Sequence, residues 1–188
     1  MPFFVVIVIA VIILIGWVIA KYNSLITLRN QVTNGWKQID VQLKRRHDLI
    51  PNLVSSVKGQ MQFEQETLEK VIQARNSAIS AKGVADSAAK EDALSSALTK
   101  LFALVENYPT LKSNENVKQL QEELTSTENK ISFARQFYND IATKFNIAQQ
   151  VFPANVIASM FNFKAAELFE IQAAAEREVP TVDLSLKK

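Results

Sequence analysis

The sequence predicts an all-α protein: a single N-terminal transmembrane helix followed by an elongated antiparallel bundle of four helices. Three observations predict it. The nineteen residues from Pro2 to Ala20 carry no charge, apolar residues downstream recur in steps of three and four, and 188 residues contain only four Gly and five Pro. So few turn formers cannot serve a many-stranded sheet, which leaves long helices.

At about 1.5 Å of rise per residue the uncharged run extends about 28 Å, close to a hydrocarbon core about 30 Å thick. Phe3, Val11, Trp17 and Ala20 fall within this membrane anchor, residues 1–21, which Lys21 closes. A cleaved signal peptide would need a basic start, a shorter apolar core and a small-x-small cleavage site, none of which is present. No basic side chain precedes the run, whereas Lys21, Arg29 and Lys37 follow it. The expected topology therefore leaves the N-terminus outside and the remaining chain in the cytoplasm. The chain has no Cys, so it has no disulfide, thiolate nucleophile or lipid-modified Cys.

Residues 22–152 hold the bundle. Leu25, Leu28, Val32, Trp36, Ile39, Leu43, Ile50, Leu53 and Val57 form one helical stripe, interrupted only by Arg46. Pro51 is expected to kink or restart this helix and Gly59 to end it. A second helix is expected over 64–81, with Leu68, Val71, Ile72, Arg75 and Ile79 facing inward. The small, polar stretch 83–90 reads as a loop, and a third helix follows over 91–108, stopped by Pro109. The fourth begins at a cap, Ser113 or Asn114, and carries the most regular stripe: Val117, Leu120, Leu124, Thr127, Ile131, Ala134, Tyr138, Ile141, Phe145 and Ala148. Pro153 closes it. Residues 153–175 read as an apolar, Phe-rich helical segment and 176–188 as an extended tail. Because the second and third helices together match the first in length, a coaxial arrangement would give three long rods instead of four helices.

The strings VQLKRRHDLIPNLV, ENYPTLKSNEN, TENKISFARQFYND and FPANVIA resemble the LemA family of bacterial membrane proteins, and the likeness covers nearly all of the chain after the anchor. The resemblance implies one anchor plus a LemA-like helical bundle at the bacterial cytoplasmic membrane. It also implies a part in membrane organisation or envelope stress, with no agreed reaction. Asn162 stands where the family often has Gly before Phe163.

Little in the chain suits catalysis. His47 is the only histidine, which excludes a di-iron bundle site and a His- or Cys-based zinc site, so no metal and no cofactor are expected. No nucleophile elbow and no Gly-rich phosphate loop occurs, so neither hydrolysis nor a small-molecule substrate is expected. The cluster Lys44-Arg45-Arg46 lies about 36 Å beyond Lys21 along a straight helix, while charges are screened over about 8 Å in cells, so it does not feel its own membrane. A net charge of +2 without interleaved aromatics argues against nucleic acid. Arg46 is expected to bridge to a carboxylate of another helix, and Arg45 to face a partner.

The function predicted is a non-catalytic scaffold that self-assembles or recruits partners. The alternative is an adaptor subunit of a membrane protease, transport or signalling system. If successive helices alternate in direction, the fourth ends near the membrane, where Phe152, Phe161, Phe163 and Phe169 meet either the lipid headgroups or the anchor-proximal helix of a neighbouring subunit in a homo-oligomer. The scarcity of cations in this segment favours the neighbour.

Overall fold

The computed structural model describes residues 2–170. Helix α1 (Pro2–Lys58) is continuous from the apolar run into the bundle, and it is the one helix among the described residues long and apolar enough to cross a membrane. The helix does not restart at Pro51, which lies inside it. Proline removes the N–H that would bond to the carbonyl four residues earlier, which is His47. Arg75 supplies the missing donor, its Nε reaching the His47 carbonyl at 2.8 Å. The helix therefore runs on to Lys58 and stops before Gly59.

A short 3-10 turn (Gln62–Glu64) leads into α2 (Gln65–Ile79), and α3 (Gly83–Val105) follows after three residues. The loop expected over 83–90 is instead the start of α3. Its three alanines are the best helix formers, and Asp86 in the first turn accepts from the Lys82 backbone N–H and pairs with Lys90 one turn on. Gly83, with φ of 81°, provides the left-handed entry that a side chain would resist. The inward position at the end of α2 is Ala78, while Ile79 is 51% exposed. One turn, α4 (Pro109–Lys112), precedes α5 (Glu115–Gln150), whose N-terminus is capped by Asn114 Oδ1 accepting from the N–H groups of Asn116 and Val117.

Three apolar clusters run along the molecule. At the distal end Ile50, Leu53 and Val57 of α1 meet Leu68 and Val71 of α2, Leu94, Leu98 and Leu101 of α3, and Val117 and Leu124 of α5. In the middle Ile39 and Leu43 pack on Ile131, Tyr138 and Ala142. At the anchor end Leu25 meets Ala148. Thus α5 runs antiparallel to α1 along its length, and α2 and α3 form a hairpin over the distal half, which gives four packed helices and not three coaxial rods.

The anchor half lacks that hairpin and is covered differently. Helix α6 (Ala154–Met160) is only seven residues long, so the helical segment expected over 153–175 is short. Residues 163–170 are extended and lie along α5. Asn146 donates to the Ala166 carbonyl (2.9 Å) and accepts from its N–H (2.8 Å), and Asn139 does the same for Phe169 (3.0 and 2.8 Å). The register is geometric. Seven residues of helix rise about 10.5 Å, as do three residues of extended chain. Tyr138 adds a hydroxyl bond to the Glu167 carbonyl at 2.7 Å. The expected tail 176–188, and residues 171–175, lie outside the described residues.

Candidate functional site

Three places gather the chemistry-bearing side chains. The first is a charged layer at the height where the α2–α3 hairpin begins to cover α1. Arg46 sits on the inner face because its position continues the α1 stripe, and Glu91 of α3, only 1% exposed, faces it. Arg46 Nη1 donates to Glu91 Oε2 at 3.3 Å, Nη2 donates to Ser95 Oγ at 2.8 Å, and Nη1 lies 2.9 Å from Glu128 Oε2 of α5. Glu91 Oε1 lies 2.6 Å from His47 Nε2. One carboxylate thus spans two adjacent α1 side chains, and one guanidinium ties α1 to both α3 and α5. Next to the layer, Arg135 lies 3.7 Å from Asp92 and stacks over the Phe169 ring at 4.3 Å. Burial pulls the Arg135 guanidinium below its ordinary pKa, against the opposing pull of Asp92, Glu128 and Glu91.

The second place is an open flank of α1 and α5. A groove of about 600 Å³ is lined by Lys37, Gln38, Val41, Lys130, Phe133 and Phe137 among others. Phe133 is 73% exposed, Val41 is largely uncovered and Phe137 is about half exposed. A second groove continues from Phe133 and Lys130 toward Lys118.

The third is the anchor-side end. Phe161 packs tilted and Phe163 edge-on against Tyr22, with ring centroids 4.6 and 5.9 Å away, and Arg29 lies 5.6 Å from the Phe163 ring. Trp17 is half-buried against the cluster of Leu25, Ile157 and Ala158, while Phe3, Val11 and Ala20 are uncovered.

The sequence-based candidates separate accordingly. Arg46 lies in the buried layer. Arg45 is half-exposed and 3.1 Å from Glu123, so it is engaged within its own chain. Lys21, Arg29 and Lys37 are exposed on α1. Phe152 and Phe161 are exposed, Phe163 is half-buried, and Phe169 is buried between Trp36 and Arg135. Phe169 is therefore corrected from a partner contact to a core residue, because the Asn139 clasp turns its side chain inward. Sequence reasoning passed over Phe133 and Phe137, whose signal is two large aromatics outside the α5 stripe. Among the described residues no three His, Cys, Asp or Glu side chains converge as metal ligands.

These features define an elongated helical bundle, continuous with one helix long enough to cross a bilayer and held by a buried ionic layer. The LemA family model matches residues 35–184, and the chain belongs to the LemA family. It is 25% identical over 203 residues to magnetosome protein MamQ 2 of Paramagnetospirillum magneticum, covering 94% of this chain and 75% of the relative. It is 27% identical over 170 residues to protein LemA of Metamycoplasma hominis, covering 88% and 76%. Over 187 residues it is 24% identical to magnetosome protein MamQ of Magnetospirillum gryphiswaldense, covering 86% and 69%.

Proposed function

We propose that this protein is a non-catalytic, membrane-anchored helical scaffold that binds a second copy of itself through the α1–α5 flank. The observation that carries the reading is the uncovered trio Val41, Phe133 and Phe137 on rigid helix, a surface that burial in an interface would stabilise by about 25 cal/mol per Å². The buried ionic layer supports it, since Glu91 and Arg46 are engaged with each other, His47, Ser95 and Glu128, leaving that carboxylate and guanidinium committed to joining helices. Relatives that are magnetosome proteins favour a membrane-organising role over a soluble one. The alternative, an adaptor for a membrane protease, transport or signalling partner, would use the same flank for a different protein.

The test is the mass of the full-length protein in detergent, with and without F133E/F137E. The scaffold reading expects an oligomer that the double substitution reduces to a smaller species of unchanged helicity. A wild-type monomer would favour the adaptor, and an oligomer indifferent to the substitutions would remove this flank as the contact.

A further inference from the structure

The anchor-side end of the bundle carries an apolar face that the packing does not explain. Val151, Phe152, Val156, Met160 and Phe161 are all exposed, Phe152 at 82% and Met160 at 72%. Their other sides are fixed. Ile157 and Ala158 of α6 are buried against Leu25, and Trp17, Val18 and Tyr22 pack on the same cluster.

That packing sets a height. Trp17 lies three residues inside the end of the uncharged run, about 4.5 Å along the axis from Ala20. A helix that reaches Trp17 from the side, with a diameter of about 10 Å, stands level with the last turn of the anchor. If Pro2–Ala20 spans the hydrocarbon, α6 and its uncovered side chains have no place to go except the boundary between acyl chains and headgroups. Charge points the same way and reverses the preference for a neighbouring subunit drawn from the sequence, because the fold adds cations of α1 and α5 to a segment, 153–175, that by itself holds only Lys164. No Asp or Glu occurs from residue 1 to 39 or from 141 to 166, the two stretches that form this end of the molecule, whereas Lys21, Arg29, Lys37, Lys144 and Lys164 do. A second copy docking here end against end would bring cations onto cations, while anionic headgroups complement them.

We infer that α6 and its flanks form an interfacial collar. Phe152, Val156, Met160 and Phe161 insert into the bilayer surface beside the anchor, and Lys144 and Lys164 reach the phosphates. Clamped to α1 through Tyr22 and Leu25, the collar holds the bundle at a fixed angle to the membrane, which a single spanning helix would not do. The inference rests on the anchor reading and is independent of whether the flank at Phe133 binds another copy.

The absence of Cys allows a direct test in the full-length chain. Single Cys residues replacing Phe152, Met160 or, as the mid-bundle control, Phe133 are labelled with an environment-sensitive fluorophore. The protein is then placed in phosphatidylethanolamine–phosphatidylglycerol vesicles. Labels at 152 and 160 should be quenched several-fold more by headgroup-level nitroxide lipids than the label at 133, and should resist aqueous iodide. Iodide quenching equal to that of the control would overturn the collar. Labels shielded from both quenchers would also overturn it, since protein and not lipid would then cover the face.

Discussion

Arg75 donates from Nε to the His47 carbonyl at 2.8 Å, and that carbonyl is the one Pro51 leaves without a helical partner. A proline within a helix is thereby joined to a second helix, because the acceptor that it frees becomes a polar contact between α1 and α2 beside their apolar packing.

The pairing predicts an energetic coupling. Arg75→Ala leaves a partly buried acceptor unpaired and should cost about 1–3 kcal/mol, read as a lower melting temperature of the detergent-solubilised protein. In a Pro51→Ala background the restored N–H supplies the bond, and the cost of Arg75→Ala should shrink by about 1 kcal/mol or more. Equal costs in the two backgrounds would mean that the Arg75 contact is incidental.

The extended strap makes a local prediction. Asn139→Ala and Asn146→Ala each delete two hydrogen bonds to the backbone, at about 1–3 kcal/mol per site after partial exposure is allowed for. Asp at either position keeps the acceptor but sets a carboxylate against a carbonyl, so it should be no better than Ala. Hydrogen exchange should rise at the Ala166 and Phe169 amides while those around Leu98, in the distal cluster, stay protected. Exchange that rises equally in both places would mean that the strap does not open as a unit.

In the ionic layer, Arg46→Ala should destabilise by about 3–5 kcal/mol, because Glu91 would remain buried without its guanidinium. Arg45→Ala removes an exposed pair with Glu123 and should cost less than about 1 kcal/mol. Arg46→Lys should fall between, since one ammonium does not reach Glu91, Glu128 and Ser95 together. Chemical denaturation of the three variants orders them, and a larger loss for Arg45→Ala would contradict the geometry.

The contrast between α5 and the strap shows what the sequence reveals. The α5 stripe is legible from Val117 to Ala148 because α5 packs along one continuous partner, α1, so period and burial largely coincide. The strap is not legible. Phe163, Ala166 and Phe169 step by three, as a helix face would, and what holds them extended is a pair of asparagines seven residues apart on α5, which leave no trace in hydropathy. Arg46 stands out because it breaks an apolar stripe. Its partner Glu91 does not, because Gly83 and the small residues after it resemble a loop and place Glu91 at a helix start instead of two turns inside one. His47 is visible as the only histidine, but nothing in the sequence ties it to Glu91.

The basic residues beside the anchor predict a topology that can be tested. Lys21, Arg29 and Lys37 should hold the bundle in the cytoplasm, so a C-terminal phosphatase fusion should be inactive and a C-terminal green fluorescent protein fusion bright. Substituting all three by Gln should produce a mixed population. A phosphatase active in the wild-type fusion would reverse the orientation and place the bundle outside.

Asn162 has φ of 52°, a left-handed conformation that turns the chain from α6 into the strap. Gly adopts this region freely, Asn tolerates it, and Ala resists it by about 1–2 kcal/mol, which gives a physical reason for the glycine that the family resemblance puts here. Asn162→Gly should therefore leave the melting temperature unchanged or raise it slightly, whereas Asn162→Ala should lower it. Because the turn delivers Phe163 onto Tyr22 and Phe145, the alanine variant should also expose Phe163 and loosen the strap at Ala166 before it affects the distal cluster. A glycine variant as unstable as the alanine variant would show that the Asn162 side chain, and not its backbone angle, holds the turn.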